Sequence, residues 1–252
     1  MGEALLAGLL AAGWAEPEEL AVVEPVAARR YQLVERFPGV AVAAEPVPAD
    51  GVVLAVKPGD VEAACRATAQ AGCRAVLSIA AGVPLARLEE WLGPDVAVVR
   101  AMPNTAALVG AGAAAIAPGS AAGDDHMDWA EAVLGAVGTV VRVPERLLDA
   151  VTGLSGSGPA YVFLVAEALT EAGVLVGLPR DVAAGLAQQT LLGAARLLTE
   201  TGQGPEALRA AVTSPGGTTA AGLQALENRS VRAAFLDAVV AATERSRQLG
   251  TT

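Results

Sequence analysis

Residue types that commonly build metal and hydrolase sites are scarce in this chain of 252 residues. His126 is the single histidine, which excludes a metal site of several histidines and a serine–histidine triad within the chain. It follows Gly123-Asp124-Asp125, and we interpret it as a solvated residue near a helix start. Cys65 and Cys73 are interpreted as two reduced thiols, with a disulfide or a metal pair as the alternative. We expect no metal site.

Lysine and long apolar runs are scarce as well. The formal net charge is −10 and Lys57 is the single lysine, so we expect no basic surface that binds nucleic acid. Apolar residues make up 53% of the chain, but Gly, Pro and charged residues interrupt them before the roughly 18 residues of a membrane span. The opening residues lack the basic region and cleavage site of a signal peptide. We therefore expect a cytoplasmic protein with no membrane segment.

Strand and helix patterns divide the chain into two parts. From residue 1 to 143, short β-branched runs alternate with helical segments, which is typical of βαβ units in a doubly wound, mostly parallel sheet. From 144 to 252 the strand patterns stop and the sequence predicts helices alone. The predicted fold is an α/β domain (1–143) followed by an all-α domain (144–252).

The middle of the helical part, from Val151 to Leu198, has few charged residues. A helix that is apolar nearly all round must be buried on several sides, and a domain of this size cannot bury two such helices internally. We therefore predict an oligomer that forms through this part, with an Ala-rich monomer as the alternative.

The opening of the chain differs from that of a typical dinucleotide-binding domain. Such a domain begins with a strand, a G-x-G-x-x-G turn and a helix, whereas Gly2–Leu10 already has helical spacing. We interpret Met1-Gly2 as the end of such a turn and expect the first strand to be missing, through a misassigned start, a truncation or a real loss. The edges left open on neighbouring strands would favour aggregation.

An acidic residue follows the next predicted strand. Val22-Val23-Glu24 places a carboxylate about twenty residues after the turn, where it would accept from the ribose hydroxyls. Glu24 would repel a 2′-phosphate, whereas Arg29 and Arg30 would attract one. NADH and NADPH therefore both stay open, and so does an ordinary solvated Glu24 at a helix start.

Three loops follow later strands of the same part. Lys57 ends the strand in Leu54–Pro58, and Pro58 favours an extended conformation at Lys57. The next strands lead into Ala80-Ala81-Gly82 and Met102-Pro103-Asn104-Thr105. Because open α/β sheets bind ligands at the carboxyl ends of their strands, these loops are expected to line one crevice. The alternative for Lys57 is a solvent-facing residue beside a turn.

Two glycine-rich segments interrupt the helical part: Ser155-Gly156-Ser157-Gly158-Pro159 and Thr213–Thr219. Each places flexible glycines ahead of a predicted helix, where free N–H groups favour a small carboxylate. The alternative is plain helix capping by hydroxyl groups.

Four blocks of the sequence together resemble the pyrroline-5-carboxylate reductases. The blocks are Ala55–Pro58, Arg100–Thr105, Ala150–Tyr161 and Pro205–Glu227, in the order and spacing of that family. The resemblance implies a Rossmann domain, a helical domain that interlocks into a dimer and often a ring of dimers, and NADPH or NADH as cofactor. It implies the last step of proline synthesis, with pyrroline-5-carboxylate as the small-molecule substrate.

The resemblance also implies roles for individual residues. Thr219 would hydrogen-bond the ring nitrogen, while Ser214 and the N–H groups of Gly216, Gly217 and Thr218 would hold the carboxylate. The residues expected at the cofactor are Gly2, Glu24, Ala55, Val56, Lys57, Pro58, Ala81, Gly82 and Asn104. Glu24 departs from the small polar residues that many members have there, which leaves the phosphate preference open.

Two other functions are compatible with parts of the pattern. A β-hydroxyacid dehydrogenase would need a lysine in the helical part, and none is present. A non-catalytic oligomer that has lost its cofactor would explain the unusual opening.

Overall fold

The computed structural model describes residues 1–250, which form two compact units. The first unit contains Met1–Ser157 and the segment from Val240 onward, and the second contains Gly158–Val239. The α/β elements are α1 (Gly2–Ala11), β1 (Ala21–Val23), α2 (Ala27–Arg36), β2 (Ala41–Ala43), β3 (Val52–Leu54), α3 (Val61–Gln70), β4 (Ala75–Ser78), α4 (Leu85–Leu92), β5 (Ala97–Met102), β6 (Gly112–Pro118), α5 (Asp124–Gly135) and β7 (Gly138–Arg142). The later elements are α6 (Leu148–Val151), α7 (Gly158–Leu175), α8 (Arg180–Glu200), α9 (Pro205–Ala211), α10 (Thr218–Asn228) and α11 (Val231–Gly250). The predicted α/β part followed by helices is confirmed.

The strands form two sheets instead of one. β1 pairs with β2 in parallel, and β3-β4-β5-β6-β7 form a second sheet in which β5 and β6 alone are antiparallel. Leu20, just before β1, and Val53 of β3 pack against the same core cluster, so the interruption lies between β1 and β3. Within residues 1–250, no strand pairs with the second edge of β1 or of β3. The mostly parallel arrangement is confirmed, and the predicted open edges are present.

Helix α1 joins the two sheets. Leu5 and Leu9 belong to the core of the larger sheet, whereas Leu6 packs with Leu33 and Phe37 against the smaller sheet. Each of these leucines is at most 7% exposed. Burial of one such side chain contributes roughly 1.5–3 kcal/mol, so α1 stabilises both sheets and their relative placement.

Both faces of the larger sheet are covered. Leu77 and Val99 point to the side of α5, where they pack with Leu134. Their neighbours Val76 and Val98 point to the side of α3 and α4. Successive strand residues alternate between the two faces. Because both faces are buried, the parallel strands are continuous apolar runs in the sequence.

Helix α5 begins at Asp124, four residues before the start at Asp128 that the spacing predicts. His126 Nδ1 accepts from the Gly123 N–H at 3.1 Å, which closes the first turn. Asp124 and Asp125 lie in that turn, where negative charge is favourable at a helix N-terminus. The interpretation of His126 as near a helix start is confirmed, but its side chain is half-buried and caps the helix, so it is not simply solvated.

The first glycine-rich segment precedes a helix, as predicted, but its first two residues are themselves helical. Thr152–Gly156 forms a π-helical turn between α6 and α7. Ser155 Oγ donates to the Val151 carbonyl at 3.2 Å, which leaves the hydroxyl inside the turn. A Cβ at Gly156 would lie 2.6 Å from Met102 Cε, so a larger residue there would require the end of that side chain to move.

The second unit buries little of its apolar surface. Its helices α7 and α8 form a hairpin around Gly177, whose φ is +103°, and Arg180 pairs with Glu171 across the hairpin. Helix α7 has no buried residue, and Leu175 and Val176 are 87% and 81% exposed. Within residues 1–250, the helical stretch Glu145–Leu175 is long and apolar enough, by length and composition alone, to cross a membrane. Gly, Pro and charged residues interrupt this stretch, as the sequence predicts, so its length comes from the helix and not from one continuous apolar run.

A strand fused ahead of Met1 is expected to stabilise the first unit. Five β-branched residues followed by Gly-x-Gly would pair with the open edges of β1 and β3 and raise the melting temperature by roughly 5 °C or more. Circular dichroism melts of the fusion and of an equally long Gly/Ser-rich fusion test this. Equal melting temperatures for the two fusions would show that the edges do not accept a strand.

Candidate cofactor and substrate sites

The N-terminus of α1 lies against the loop that follows β3. A Cβ placed on Gly2 would be 3.0 Å from Ala55 Cβ, so no larger residue fits at Gly2 without a shift. The first intrahelical bonds are donated by Ala4 and Leu5 to the Met1 carbonyl, which leaves the N–H groups of the preceding residues without a helical acceptor. A helix N-terminus with free N–H groups and a close backbone approach suits a phosphate group.

Glu24 and the nearby arginines form a connected group beside this helix. The Glu24 carboxylate accepts from the N–H of Val26, the residue just before α2, at 2.9 Å. Arg30 donates to the carbonyls of Glu24 and Pro25, both at 2.8 Å. Arg29 pairs with Glu3, in the first turn of α1, and Arg36 pairs with the same carboxylate. Glu24 is half-buried and lies at the start of α2, so the alternative of a helix-start residue stays open beside the cofactor role.

The loop after β3 faces solvent. Ala55, Val56, Lys57 and Pro58 are all exposed. Lys57 has φ −67° and ψ 151°, the extended conformation expected of a residue before proline. Within residues 1–250 no acceptor binds its ammonium group, so the charge is available at this edge of the sheet.

The loop after β4 lies at the carboxyl end of the neighbouring strand. Because β3 and β4 are parallel, Ala81 and Gly82 follow the same sheet edge as Lys57. Gly82 has φ +75°, a conformation that disfavours other residues, and Ala81 is exposed.

Asn104 braces the loop after β5. Its Oδ1 accepts from the Ala113 N–H at 3.2 Å, and its Nδ2 donates to the Ser155 carbonyl at 3.1 Å. Both ends of the amide thus bind the protein backbone. One N–H and one lone pair are left for a ligand.

The second glycine-rich segment is a tight turn that leads into α10, as predicted. Gly216 has φ +68°, and Gly217 donates to the Ser214 carbonyl at 3.0 Å. A side chain at Gly217 would collide with Ser214 Oγ. Helix α10 lacks a side-chain cap, and its first helical bond is donated by Ala221. The N–H groups at the start of the helix, from Thr218 to Ala220, are therefore without a partner within residues 1–250.

Known proteins resemble the chain over its whole length. A family model described as pyrroline-5-carboxylate reductase dimerisation matches residues 145–249, and one described as NADP oxidoreductase, coenzyme F420-dependent, matches 1–82. The pyrroline-5-carboxylate reductase of Synechocystis is 48% identical over 99% of this chain and 95% of its own, and that of Arabidopsis thaliana is 42% identical over 99% and 92%. A solved reductase from Coxiella burnetii is 37% identical with a TM-score of 0.94, over 100% of this chain and 95% of that one.

The chain belongs to the pyrroline-5-carboxylate reductases. The resemblance found in the sequence blocks is therefore confirmed. A further solved reductase, from Plasmodium falciparum, has NADP bound, is 29% identical and has a TM-score of 0.86, over 99% of this chain and 94% of that one.

The two thiols of this reductase are buried and free. Burial raises the pKa of Cys65 to about 11, and the nearby Arg66 only partly offsets this. The thiol therefore stays protonated at neutral pH, which suits neither a nucleophile nor a metal ligand. Within residues 1–250 no group of three or more His, Cys, Asp or Glu side chains could hold a metal ion.

Two features of the reductase escaped the sequence reasoning. The first is the pairing of Glu3 with two arginines. An acidic residue in the first turn of a helix is a usable signal of such an electrostatic role. The partly buried pair of Arg100 and Glu145 joins residues that are 45 positions apart, and no local pattern predicts it.

Proposed function

We propose that the chain reduces L-1-pyrroline-5-carboxylate to L-proline, with NADPH as the preferred hydride donor and NADH as a second donor. The observation that carries the proposal is the match to pyrroline-5-carboxylate reductases at 42–48% identity over 99% of the chain. The structural feature that supports it is the N-terminus of α10, which has no side-chain cap and lies in the sequence block Pro205–Glu227. A cytoplasmic location stays a prediction.

The substrate carboxylate is assigned to the turn before α10. Ser214 Oγ and the N–H groups of Gly216 and Thr218 are the donors, and the positive end of the helix favours the anion. Gly217 is assigned a supporting role because its own N–H already binds the Ser214 carbonyl. Thr219, which is half-buried one residue further on, is assigned to hydrogen-bond the ring nitrogen.

The cofactor is assigned to the carboxyl edge of the strands in the first unit. Gly2 at the start of α1 would meet the pyrophosphate and Glu24 the adenosine ribose. The loops Ala55–Pro58 and Ala81–Gly82 would border the nicotinamide, and Asn104 holds the third loop in place. A Cβ at Gly2 would lie 3.0 Å from Ala55 Cβ, so glycine suits this position. A glycine fits a pyrophosphate site, because the backbone must approach the phosphates closely. When bound, the nicotinamide supplies the hydride.

The residues present suit this reaction because it asks little acid–base chemistry of the protein. A cyclic C=N bond accepts hydride most readily when its nitrogen is protonated, and solvent can supply that proton. The second unit contains neither histidine nor lysine. Its task is to fix a carboxylate and orient a ring, which N–H groups and a hydroxyl can do.

Thr219→Ala is expected to lower kcat by more than roughly tenfold, because the hydrogen bond to the ring nitrogen is lost. Steady-state oxidation of NADPH with pyrroline-5-carboxylate measures this, and Thr219→Ser should recover most of the rate. The matched control is Thr218→Ala, which removes an exposed hydroxyl and keeps the N–H group. Equal rates for wild type and Thr219→Ala would remove Thr219 from the site.

Glu24→Gln is expected to raise the preference for NADPH. Removal of a negative charge near the 2′-phosphate should increase the ratio of kcat/KM for NADPH to that for NADH by roughly five- to tenfold. The control is Glu35→Gln, the same change near the other end of α2 and beyond the screening length of about 8 Å in physiological salt. An unchanged ratio in Glu24→Gln would place the carboxylate away from the ribose.

The chain self-associates through its helical part. We propose a dimer, and a ring of such dimers, with residues 144–252 as the dimerisation and substrate-binding domain and 1–143 as the cofactor domain. The matched range 145–249 supports this division. The exposed apolar side chains of α7, among them Phe163 and Leu164, offer a surface for that interface.

Phe163→Asp, at a residue 62% exposed on α7, is expected to weaken self-association by roughly 100-fold or more, because it would bury a charge in an apolar interface. Light scattering across protein concentrations measures the change. Val109→Asp, at a residue 81% exposed in the first unit, is the control. A monomeric wild type that floats with phospholipid vesicles would instead assign the apolar stretch to a membrane.

A further inference from the structure

The loop between β4 and α4, residues 80–84, is held by residues outside the sites described above. It contains Ala81 and Gly82, which are proposed to border the nicotinamide, so the inference rests on the proposed function. The contacts that hold the loop come from Glu145 and from the last turn of α11, and all of these residues belong to the first unit.

Glu145 fixes one end of the loop. Its Oε1 accepts from the N–H of Leu85, the first residue of α4, at 2.7 Å. The same oxygen accepts from Arg100 Nη1 at 2.8 Å. The Leu85 N–H has no acceptor inside its own helix. Glu145 therefore sets the point at which the loop becomes α4.

Arg100 in turn fixes Glu145. Arg100 is 8% exposed and lies in β5 beside Ser78, the last residue of β4. A buried guanidinium must keep a charged partner, because an unpaired buried charge is strongly unfavourable. Arg100 therefore holds the Glu145 carboxylate, whose side chain is 34% exposed, and ties the loop end to the sheet.

The last turn of α11 lies against the other part of the loop. A Cβ on Gly82 would be 3.5 Å from Leu249 Cβ, and a Cβ on Gly250 would be 3.4 Å from the Gly82 carbonyl oxygen. Ser246, which is 5% exposed, donates to Asp149 Oδ1 at 2.7 Å and anchors this turn on α6.

We propose that Glu145, through Arg100, and the last turn of α11, through Ser246, are positioning residues that hold loop 80–84 in the shape that receives the nicotinamide end of the cofactor. They act through the loop and not on the reacting atoms. A loop that is already ordered loses less conformational entropy when the cofactor binds, so cofactor affinity depends on both contacts.

Glu145→Ala is expected to speed hydrogen exchange in the peptide 79–92 of the cofactor-free protein and to raise the Kd for NADPH roughly tenfold. Glu145→Gln keeps an oxygen acceptor for Leu85 but leaves Arg100 without a charged partner, so its Kd should lie between those of wild type and Glu145→Ala. Ser246→Ala, which disturbs no buried charge, should change both readouts in the same direction as Glu145→Ala. The matched control is Glu90→Ala, which removes the exposed Arg87–Glu90 pair on α4 and should change neither.

Exchange mass spectrometry and fluorescence titration with NADPH supply the two readouts. Unchanged exchange in Glu145→Ala and Ser246→Ala would overturn the proposal, and so would faster exchange with an unchanged Kd. If the wild type binds NADPH but does not turn over pyrroline-5-carboxylate, the proposed function is wrong. The exchange and Kd measurements still decide the positioning role in that case.

Discussion

Helix α1 has to bury two faces at once, and the first unit depends on that double burial. Leu5 and Leu9 contribute to one core and Leu6 to another, so the helix connects strands that share no hydrogen bonds. A helix with this task must be apolar nearly all round, as Gly2–Ala11 is. The close approach of Gly2 to Ala55 follows from the same packing. The geometry proposed for the cofactor is therefore a consequence of how α1 is seated between two sheets.

Parallel strand direction then explains why loops distant in sequence are candidates for one site. β3, β4 and β5 run the same way, so the loops after them share one edge. The partly buried contacts of Glu145 and Asn104 connect those loops to residues much later in the chain. Exposed loops bordered by buried polar braces can present backbone to a ligand without losing their shape.

The elements that one local pattern fixes were predictable from the sequence. Alternation of strands and helices predicted the elements, and Pro58 predicted the extended conformation of Lys57. Other features could not be predicted from a local pattern. The glycines of Ser155–Gly158 indicated a flexible segment ahead of a helix, yet Thr152–Gly156 forms a π-helical turn. The Arg100–Glu145 pair depends on a tertiary contact that no window of sequence contains. The roles of the individual site residues stay predictions.

An acidic chain that binds two anions must create positive potential locally. The net charge is −10, and the arginines beside the proposed pyrophosphate site are already engaged, Arg29 and Arg36 by Glu3 and Arg30 by backbone carbonyls. At this edge the available charge is that of Lys57, together with the N–H groups at the start of α1. The turn before α10 uses N–H groups and a helix dipole in the same way. Such fixed dipoles act over a few ångströms and need no compensating buried charge, so the potential is confined to the ligand positions. This arrangement lets the protein keep a strongly acidic surface elsewhere while it holds a dinucleotide and a carboxylate.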